Sequence, residues 1–311
     1  MCKCNDQRTV KANNERMSNP LIINCALTGM VPTKNDTPFV PVTPAEIIAD
    51  AVRCYEAGGS IFHLHSRLTD QSPAWEKESY IEMISGIRSA IADPDIIICT
   101  TTSGRVHNTL PCRSDVLNLT GSVKPDMASL TLGSMNFPKQ ASVNSPDMIQ
   151  GLAKVMLEKG IKPELEAFDI GMVEYSHYLI RKGFLSGDRP YINLLLGSLG
   201  TLSASTRNLA AIVDALPDGA VWAATGIGQF QFPVQKLAIA MGGHVRVGLE
   251  DGIYMDAGKS QLATNPMMVE RVVRVAAAME RPIASPTDVR AMLGLKLNSA
   301  AQFPRELAIS A

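Results

Sequence analysis

After Pro20, the chain alternates regularly between short apolar runs and longer amphipathic segments. The runs have the length and the β-branched content of strands, whereas the segments between them have the spacing of helices. Eight runs are predicted as strands: Leu21–Ala26, Ser60–His65, Ile96–Thr101, Met127–Leu132, Glu164–Phe168, Tyr191–Leu196, Ala220–Ala224 and His244–Val247. Because strands that alternate with helices form parallel sheets, this rhythm predicts an α/β fold, namely a (β/α)8 TIM barrel.

An open doubly wound sheet is the alternative architecture. It usually has fewer strands, and no Gly-x-Gly-x-x-Gly motif follows the first run, which argues against a dinucleotide-binding module. Seven helices are predicted between or after the strands: Pro44–Ala57, Ser79–Ala92, Ser145–Glu158, Met172–Lys182, Thr206–Ala215, Val234–Met241 and Pro266–Met279. Thr43 and Ser145 each precede a proline, as expected of helix N-caps. Only the segment Arg113–Leu119, after the third strand, is short and ambiguous.

The domain organisation follows from this pattern. Residues 1–18 are polar and are expected to form a flexible N-terminal segment. Residues 19–311 are predicted to form a single (β/α)8 barrel domain, with no linker that divides it. The segment Ser285–Leu295 is expected to be a C-terminal helical extension of that domain, followed by a tail that docks on another subunit.

Charge and cysteine usage restrict the partners. The chain has 29 Lys and Arg against 30 Asp and Glu, a net charge of −1, so no broad basic field indicates nucleic acid or an acidic membrane as a partner. No apolar stretch is long enough to span a bilayer. The cysteines form no Cys-x-x-Cys pair, and Cys25 and Cys99 lie in apolar runs, as buried thiols would. A reducing cytoplasm is the expected location.

A candidate metal site lies at the end of the second predicted strand. His63 and His65 are two residues apart, so their side chains share one face of the strand. In a closed barrel the eighth, first and second strands are neighbours, and Glu250 after the eighth strand can then reach both histidines. Two histidines and one carboxylate form a common catalytic ligand set for Zn²⁺. The alternative is that Glu250 only pairs with Arg246 or Arg67.

Other polar residues are predicted at the same ends of the strands, where barrel enzymes place their active sites. Asp251 is expected to point away from Glu250 and to move protons. Arg246 would favour an anionic substrate or a developing enolate. Glu166 is a second candidate carboxylate inside the barrel, or else only holds an arginine or a strand-end amide. Thr101 offers a hydroxyl donor at the same rim.

Further ligand-binding candidates lie on the strand-end loops. Ser129, on the fourth strand, is predicted to contact substrate. The glycine-rich loops after the sixth and seventh strands contain Ser198, Gly226 and Gly228. Phosphate-bearing ligands often bind near the last strands of this fold, so these loops are candidates for cofactor binding, although a tight turn also explains each glycine.

The motifs resemble those of the β-keto acid cleavage enzymes, the family of the 3-keto-5-aminohexanoate cleavage enzyme. The resemblance covers roughly Asn19 to Leu293. The most specific match is Gly-Gly-His-Val-Arg-Val-Gly-Leu-Glu-Asp at Gly242–Asp251. The other matching segments are Leu27–Gly29, Pro41–Pro44, Glu56–His65, Lys124–Leu130, Pro163–Glu166 and Gly226–Gly228.

The resemblance implies a Zn²⁺-dependent barrel that converts a β-keto acid and acetyl-CoA into acetoacetate and a new acyl-CoA. It implies His63, His65 and Glu250 as metal ligands. Asp251 and Arg246 match the catalytic acid–base and electrostatic positions, and Glu166 matches an active-site carboxylate. Thr101 stands where the family has a serine that binds the substrate carboxylate. The resemblance also implies a homo-oligomer, a tetramer.

One departure from the family concerns the substrate. The family member that cleaves the amino-substituted substrate has a glutamate after its first strand, and the matching residue here is Val31. Without that cation partner, 3-keto-5-aminohexanoate is not the expected substrate. An uncharged, apolar or anionic β-keto acid fits better, with Arg105 or Lys34 as partners for a second carboxylate.

Three other functions are alternatives to β-keto acid cleavage. A metal-dependent hydrolase would need further histidine ligands, and His107, His177 and His244 are poorly placed for that role. A metal-dependent aldolase-type lyase would cleave its substrate without acetyl-CoA. A non-catalytic zinc-binding protein would not need the polar residues that surround the histidines.

Overall fold

Eight parallel strands close into a barrel in the computed structural model, which describes residues 19–138 and 140–298. The strands are β1 (Ile23–Ala26), β2 (Ile61–Leu64), β3 (Ile97–Thr100), β4 (Met127–Thr131), β5 (Lys162–Ala167), β6 (Tyr191–Leu196), β7 (Val221–Gly226) and β8 (His244–Val247). Each predicted run overlaps one of them, and β8 pairs with β1 to complete the circle. The predicted barrel is therefore confirmed, and the open sheet is excluded.

Helices surround the barrel in the predicted order. They are α1 (Pro44–Glu56), α2 (Glu78–Ala90), α3 (Leu110–Ser114), α4 (Pro146–Lys159), α5 (Ile170–Arg181), α6 (Thr206–Asp214), α7 (Gln231–Ala240), α8 (Asn265–Ala278) and α9 (Pro286–Leu293). The ambiguous segment Arg113–Leu119 begins in the last residues of α3 and includes a 3₁₀ turn, Asp115–Asn118. Within the described ranges, no helix is long and apolar enough to cross a membrane.

Helix termini follow the sequence signals. The Thr43 hydroxyl oxygen accepts a hydrogen bond from the Glu46 backbone N–H, and the Glu46 carboxylate accepts one from the Thr43 backbone N–H, which forms a capping box. Ser145 caps α4 in the same way with its hydroxyl, and Gly160 ends that helix at φ 60°. The flexible segment predicted for residues 1–18 lies outside the described residues, as does the tail beyond residue 298.

The interior of the barrel is apolar at one end and polar at the other. At the end where the strands begin, buried side chains from the strands pack against Val289 and Leu293 of α9. These side chains include Ile22, Ile61, Ile97, Met127 and Tyr191. The predicted C-terminal extension thus closes the bottom of the barrel, which leaves the carboxyl ends of the strands as the open, polar mouth.

The cysteines that the structure describes are free thiols. Cys25 and Cys99 are buried, as predicted, and Cys54 is buried as well, whereas Cys112 is partly exposed. Cys2 and Cys4 lie outside the described residues.

Arg290 fastens α9 to the barrel, and its replacement should destabilise the fold. Its buried guanidinium donates to the Asp95 and Ile96 carbonyl oxygens at 2.7 and 3.0 Å, and pairs with Asp126 at 2.8 Å. Arg290→Met leaves these acceptors without their donor, so the free energy of unfolding should fall by about 3 kcal/mol in urea titrations. Arg274→Met, at an exposed α8 position, should change it by less than about 0.5 kcal/mol. Equal effects of the two variants would show that α9 does not contribute through Arg290.

Candidate active site

Closure of the barrel brings the ends of β2 and β8 together at its mouth, because both strands flank β1. His63 Nε2 lies 3.3 Å from His65 Nε2. Glu250 reaches both rings: its Oε1 lies 3.3 Å from His65 Nε2 and its Oε2 lies 3.8 Å from His63 Nε2. The three predicted metal ligands therefore converge on one point, with one ligand atom from each within 4.8 Å of the others.

The chain turns directly after β8. The strand ends at Val247, as predicted, so Glu250 lies beyond the extended segment. Gly248 turns the chain with φ 154°, and a Cβ there would lie 2.0 Å from the Ala26 carbonyl oxygen, so only glycine fits. Gly29 leaves the space into which Glu250 extends, since a Cβ on Gly29 would lie 2.5 Å from Glu250 Cγ.

This arrangement fits a divalent cation. Glu250 Oε2 is buried and has no hydrogen-bond partner among the described residues, an arrangement that costs free energy unless a cation or water satisfies the oxygen. The two imidazole nitrogens face the same point and cannot both donate to each other. Two neutral histidines and a carboxylate around an open position match a catalytic Zn²⁺ site.

Glu164 determines which nitrogen of His63 faces the mouth, a role that the sequence reasoning did not assign. His63 Nδ1 donates to Glu164 Oε2 at 2.6 Å, which leaves the Nε2 lone pair for a ligand. Burial by itself raises the pKa of Glu164, but the hydrogen bond from His63, the charge of Arg246 and the hydrogen bond from Cys99 lower it, so the carboxylate is ionised. Glu164 lies two residues before Glu166 on β5, and this spacing was the available signal.

Three further donors occupy the oxygens of Glu164. Asn24 and Asn193 donate their side-chain amides to Oε1, and the Cys99 thiol lies 3.1 Å from Oε2. A carboxylate offers about four lone-pair positions, and His63 and these residues fill them. His63, Cys99 and Glu164 are also close enough to hold a metal ion, but the oxygens of Glu164 are already engaged. The set with Glu250 is therefore the better metal site.

Arg246 is the electrostatic centre of the mouth. Its guanidinium is 1% exposed and contacts three carboxylates: Glu250 at 2.7 Å, Asp251 at 2.9 Å and Glu166 at 3.2 Å. The expected pairing of Glu250 with Arg246 thus coexists with its approach to the histidines. Asp251 was expected to point away from Glu250. Its carboxylate instead contacts the same Arg246 guanidinium, although only Glu250 approaches the histidine rings.

Burial raises the pKa values of two of the carboxylates that share Arg246. Burial raises the pKa of Asp251, Arg246 lowers it, and the nearby Glu250 charge raises it again, so that it ends above its ordinary value. Burial also raises the pKa of Glu166 above its ordinary value. A buried carboxylate with a raised pKa is suited to accept and return a proton.

The two predicted hydroxyl groups support the loop after β3. Thr101 Oγ1 accepts from the Ser103 backbone N–H at 3.0 Å, and Ser129 Oγ accepts from the Thr102 N–H at 3.1 Å. Each hydroxyl is the acceptor in these contacts, so its own hydrogen can still be donated to a ligand. Contact of either residue with substrate stays a prediction.

The glycine-rich loops have structural roles of their own. A Cβ on Gly226 would lie 2.1 Å from the Phe230 carbonyl oxygen, so close packing requires glycine there. The Gly228 N–H donates to the Asp251 carbonyl oxygen at 2.6 Å, which anchors the chain that carries the acid. Ser198 is buried, and its carbonyl oxygen accepts from the Thr201 hydroxyl at 2.9 Å. Cofactor binding at these three residues stays a prediction.

The remaining candidate residues lie on the predicted loops or form contacts away from the predicted metal ligands. Val31 is 61% exposed on the loop after β1, and Arg105 lies on the loop after β3. Lys34 pairs with Glu46 at 2.7 Å. His244, at the start of β8, accepts from the Ile22 N–H at 3.0 Å at the closed end of the barrel, far from the predicted ligands along the strand.

Comparison with known proteins gives a family for this arrangement. The family model described as beta-keto acid cleavage enzyme matches residues 20–295. A 3-keto-5-aminohexanoate cleavage enzyme of Fusobacterium nucleatum is 40% identical over 90% of this chain and 100% of its own length. A 3-oxoadipate:acetyl-CoA acetyltransferase of Cupriavidus necator is 36% identical, over 90% of this chain and 96% of its own.

Solved structures support the fold. The apo structure of ObcA superposes with a TM-score of 0.74 at 21% identity, over 83% of this chain and 66% of the ObcA chain. At this identity the similarity shows the shared barrel alone. The family match extends over the whole barrel, from β1 to α9, and includes the segments that carry His63, His65, Glu250 and Asp251. The chain belongs to the beta-keto acid cleavage enzyme family.

Proposed function

We propose that this protein is a zinc-dependent acyltransferase that cleaves a β-keto acid with acetyl-CoA as cosubstrate. The observation that carries the proposal is the convergence of His63, His65 and Glu250 beside the carboxylates around Arg246, in a chain of this family. The reaction exchanges acyl groups: R-CO-CH2-COO⁻ and CH3-CO-SCoA give R-CO-SCoA and CH3-CO-CH2-COO⁻. Atoms and charge balance without any redox partner.

Zn²⁺ held by the two histidines and Glu250 would act as a Lewis acid that polarises the keto group of the substrate. Asp251 accepts the proton from C2, for which its burial and raised pKa suit it. C2 then attacks the acetyl carbonyl and expels CoA as its thiolate, which adds to the former keto carbon. Cleavage of the bond between that carbon and C2 releases the new acyl-CoA and the carbanion of acetoacetate, which takes back the proton from Asp251.

Other residues hold the reactants. Arg246 stabilises the negative charge that develops next to Asp251, and Glu166 holds the guanidinium from its other side. Thr101 and Ser129 donate their hydroxyl hydrogens to the substrate carboxylate. The loops with Ser198, Gly226 and Gly228 accommodate CoA. The protein works as a homo-oligomer, a tetramer, in the cytoplasm, which the free cysteines and the family suggest.

The requirement for acetyl-CoA separates this function from its rivals. Zinc-loaded protein incubated with a panel of β-keto acids should form acetoacetate and acyl-CoA in equal amounts, and only when acetyl-CoA is present. An aldolase-type lyase would consume the β-keto acid without acetyl-CoA, and a hydrolase would release products without acyl-CoA. Absence of acetoacetate from every β-keto acid would contradict the proposal, and so would equal turnover with the metal removed by chelation.

Glu164 and Glu166 provide a matched pair of variants for the metal site. Glu164→Gln removes the charge that orients His63, so zinc affinity should fall by about 10- to 100-fold in competition with a chromophoric chelator. Glu166→Gln touches Arg246 and no metal ligand, so zinc affinity should stay within about 3-fold while kcat falls. If the two variants bind zinc equally well, Glu164 does not position the metal ligand.

A further inference from the structure

The guanidinium of Arg105 differs from those of its neighbours at the mouth of the barrel. Arg67 donates to the carbonyl oxygens of Gly29 and Pro32 at 2.8 and 3.0 Å, and Arg113 donates to that of Thr102 at 2.7 Å. Arg246 is occupied by carboxylates. Arg105 has no hydrogen bond or ion pair with any residue of the ranges 19–138 and 140–298.

Aromatic packing holds Arg105 in place. Its Cζ lies 3.6 Å from the centroid of the Phe137 ring, so the guanidinium lies against the ring face. Phe137 in turn packs edge-on against Phe168, at the end of β5, with centroids 5.9 Å apart. The N–H groups of a guanidinium lie in its own plane. Contact of the guanidinium with the ring therefore leaves them able to bind a carboxylate through two parallel hydrogen bonds.

Arg105 belongs to the same electrostatic environment as the candidate catalytic groups. Burial lowers its pKa, and the charges of Glu250, Glu166 and Asp251 raise it. Arginine stays protonated despite such a decrease. These carboxylates contact Arg246 directly, whereas none of them forms a hydrogen bond or ion pair with Arg105, so the N–H groups of Arg105 stay available for a ligand.

The loop after β1 lies beside the loop that carries Arg105. Val31 is neutral and 61% exposed, and its neighbour Met30 contacts the loop of Arg105 through a 3.4 Å approach of the Ser103 hydroxyl to Met30 Sδ. Val31 thus offers no charge to a substrate cation, and Arg105 offers guanidinium N–H groups that no described residue occupies. These groups favour a substrate with an anionic substituent.

We propose that Arg105 determines substrate specificity, and that the substrate is a β-keto acid with a second carboxylate on the acyl side of the keto group. The proposal rests on the proposed function, which supplies the β-keto acid itself. Arg105 binds the distal carboxylate, while the rest of the mouth acts on the β-keto group that all substrates of the reaction share.

The test compares three β-keto acids with different distal groups: 3-oxoadipate, 3-oxohexanoate and 3-keto-5-aminohexanoate. The zinc-loaded wild-type protein with acetyl-CoA should give the highest kcat/KM for 3-oxoadipate, by roughly 10- to 100-fold, because a hydrogen-bonded charge pair contributes on that scale. Arg105→Gln should lose that factor for 3-oxoadipate and change kcat/KM for 3-oxohexanoate by less than about 3-fold. Arg274→Gln, which removes an exposed arginine from α8, should change neither value.

Two results would overturn the proposal. An equal loss for all three acids in Arg105→Gln would mean that Arg105 binds the carboxylate common to them. If Arg105→Gln increases the KM for acetyl-CoA and leaves the preference among the three acids unchanged, Arg105 binds CoA.

A binding measurement keeps this proposal separate from the proposed function. Calorimetry of the wild-type protein should show adipate binding about 10-fold more tightly than hexanoate, and Arg105→Gln should abolish that difference. If no β-keto acid is turned over, the proposed function fails, and the calorimetry still decides whether Arg105 selects a dicarboxylate. Equal binding of both acids to the wild-type protein would contradict the role of Arg105.

Discussion

The candidate site depends on the hydrogen bonds that the ionised carboxylate of Glu164 accepts inside the barrel, where it is fully buried. A bare carboxylate in that position would be costly, and four donors from β1, β2, β3 and β6 satisfy it. Each donor is thereby held at a defined height inside the barrel. For His63 the consequence is chemical, since the proton on Nδ1 leaves Nε2 as a lone-pair donor at the mouth.

Arg246 organises the opposite side of the same mouth. Three carboxylates around one guanidinium leave an excess of negative charge in a buried site, which a divalent cation between Glu250 and the histidines would offset. The same excess favours a proton on one of the carboxylates, and burial raises the pKa of both Asp251 and Glu166. In the proposed mechanism, metal binding and proton transfer are therefore linked through one arginine.

The sequence predicted the barrel well because period and length define its elements. Eight apolar runs corresponded to eight strands, and closure placed Glu250 beside His63 and His65 as expected. The role of Glu164 was missed because the spacing of two on β5 shows which face a residue occupies and not its depth in the barrel. The shared contact of Glu250 and Asp251 with Arg246 was missed because Gly248 ends the strand, and alternation does not apply beyond that turn.

The central claim is that the metal is bound at the mouth by His63, His65 and Glu250. Zinc K-edge X-ray absorption of the stoichiometrically loaded protein tests it most directly, because the competing set of His63, Cys99 and Glu164 contains a thiol. The account predicts only nitrogen and oxygen ligands at about 2.0–2.2 Å, with two imidazoles. A sulfur ligand at about 2.3 Å would contradict it, since Cys99 would then bind the metal deep inside the barrel.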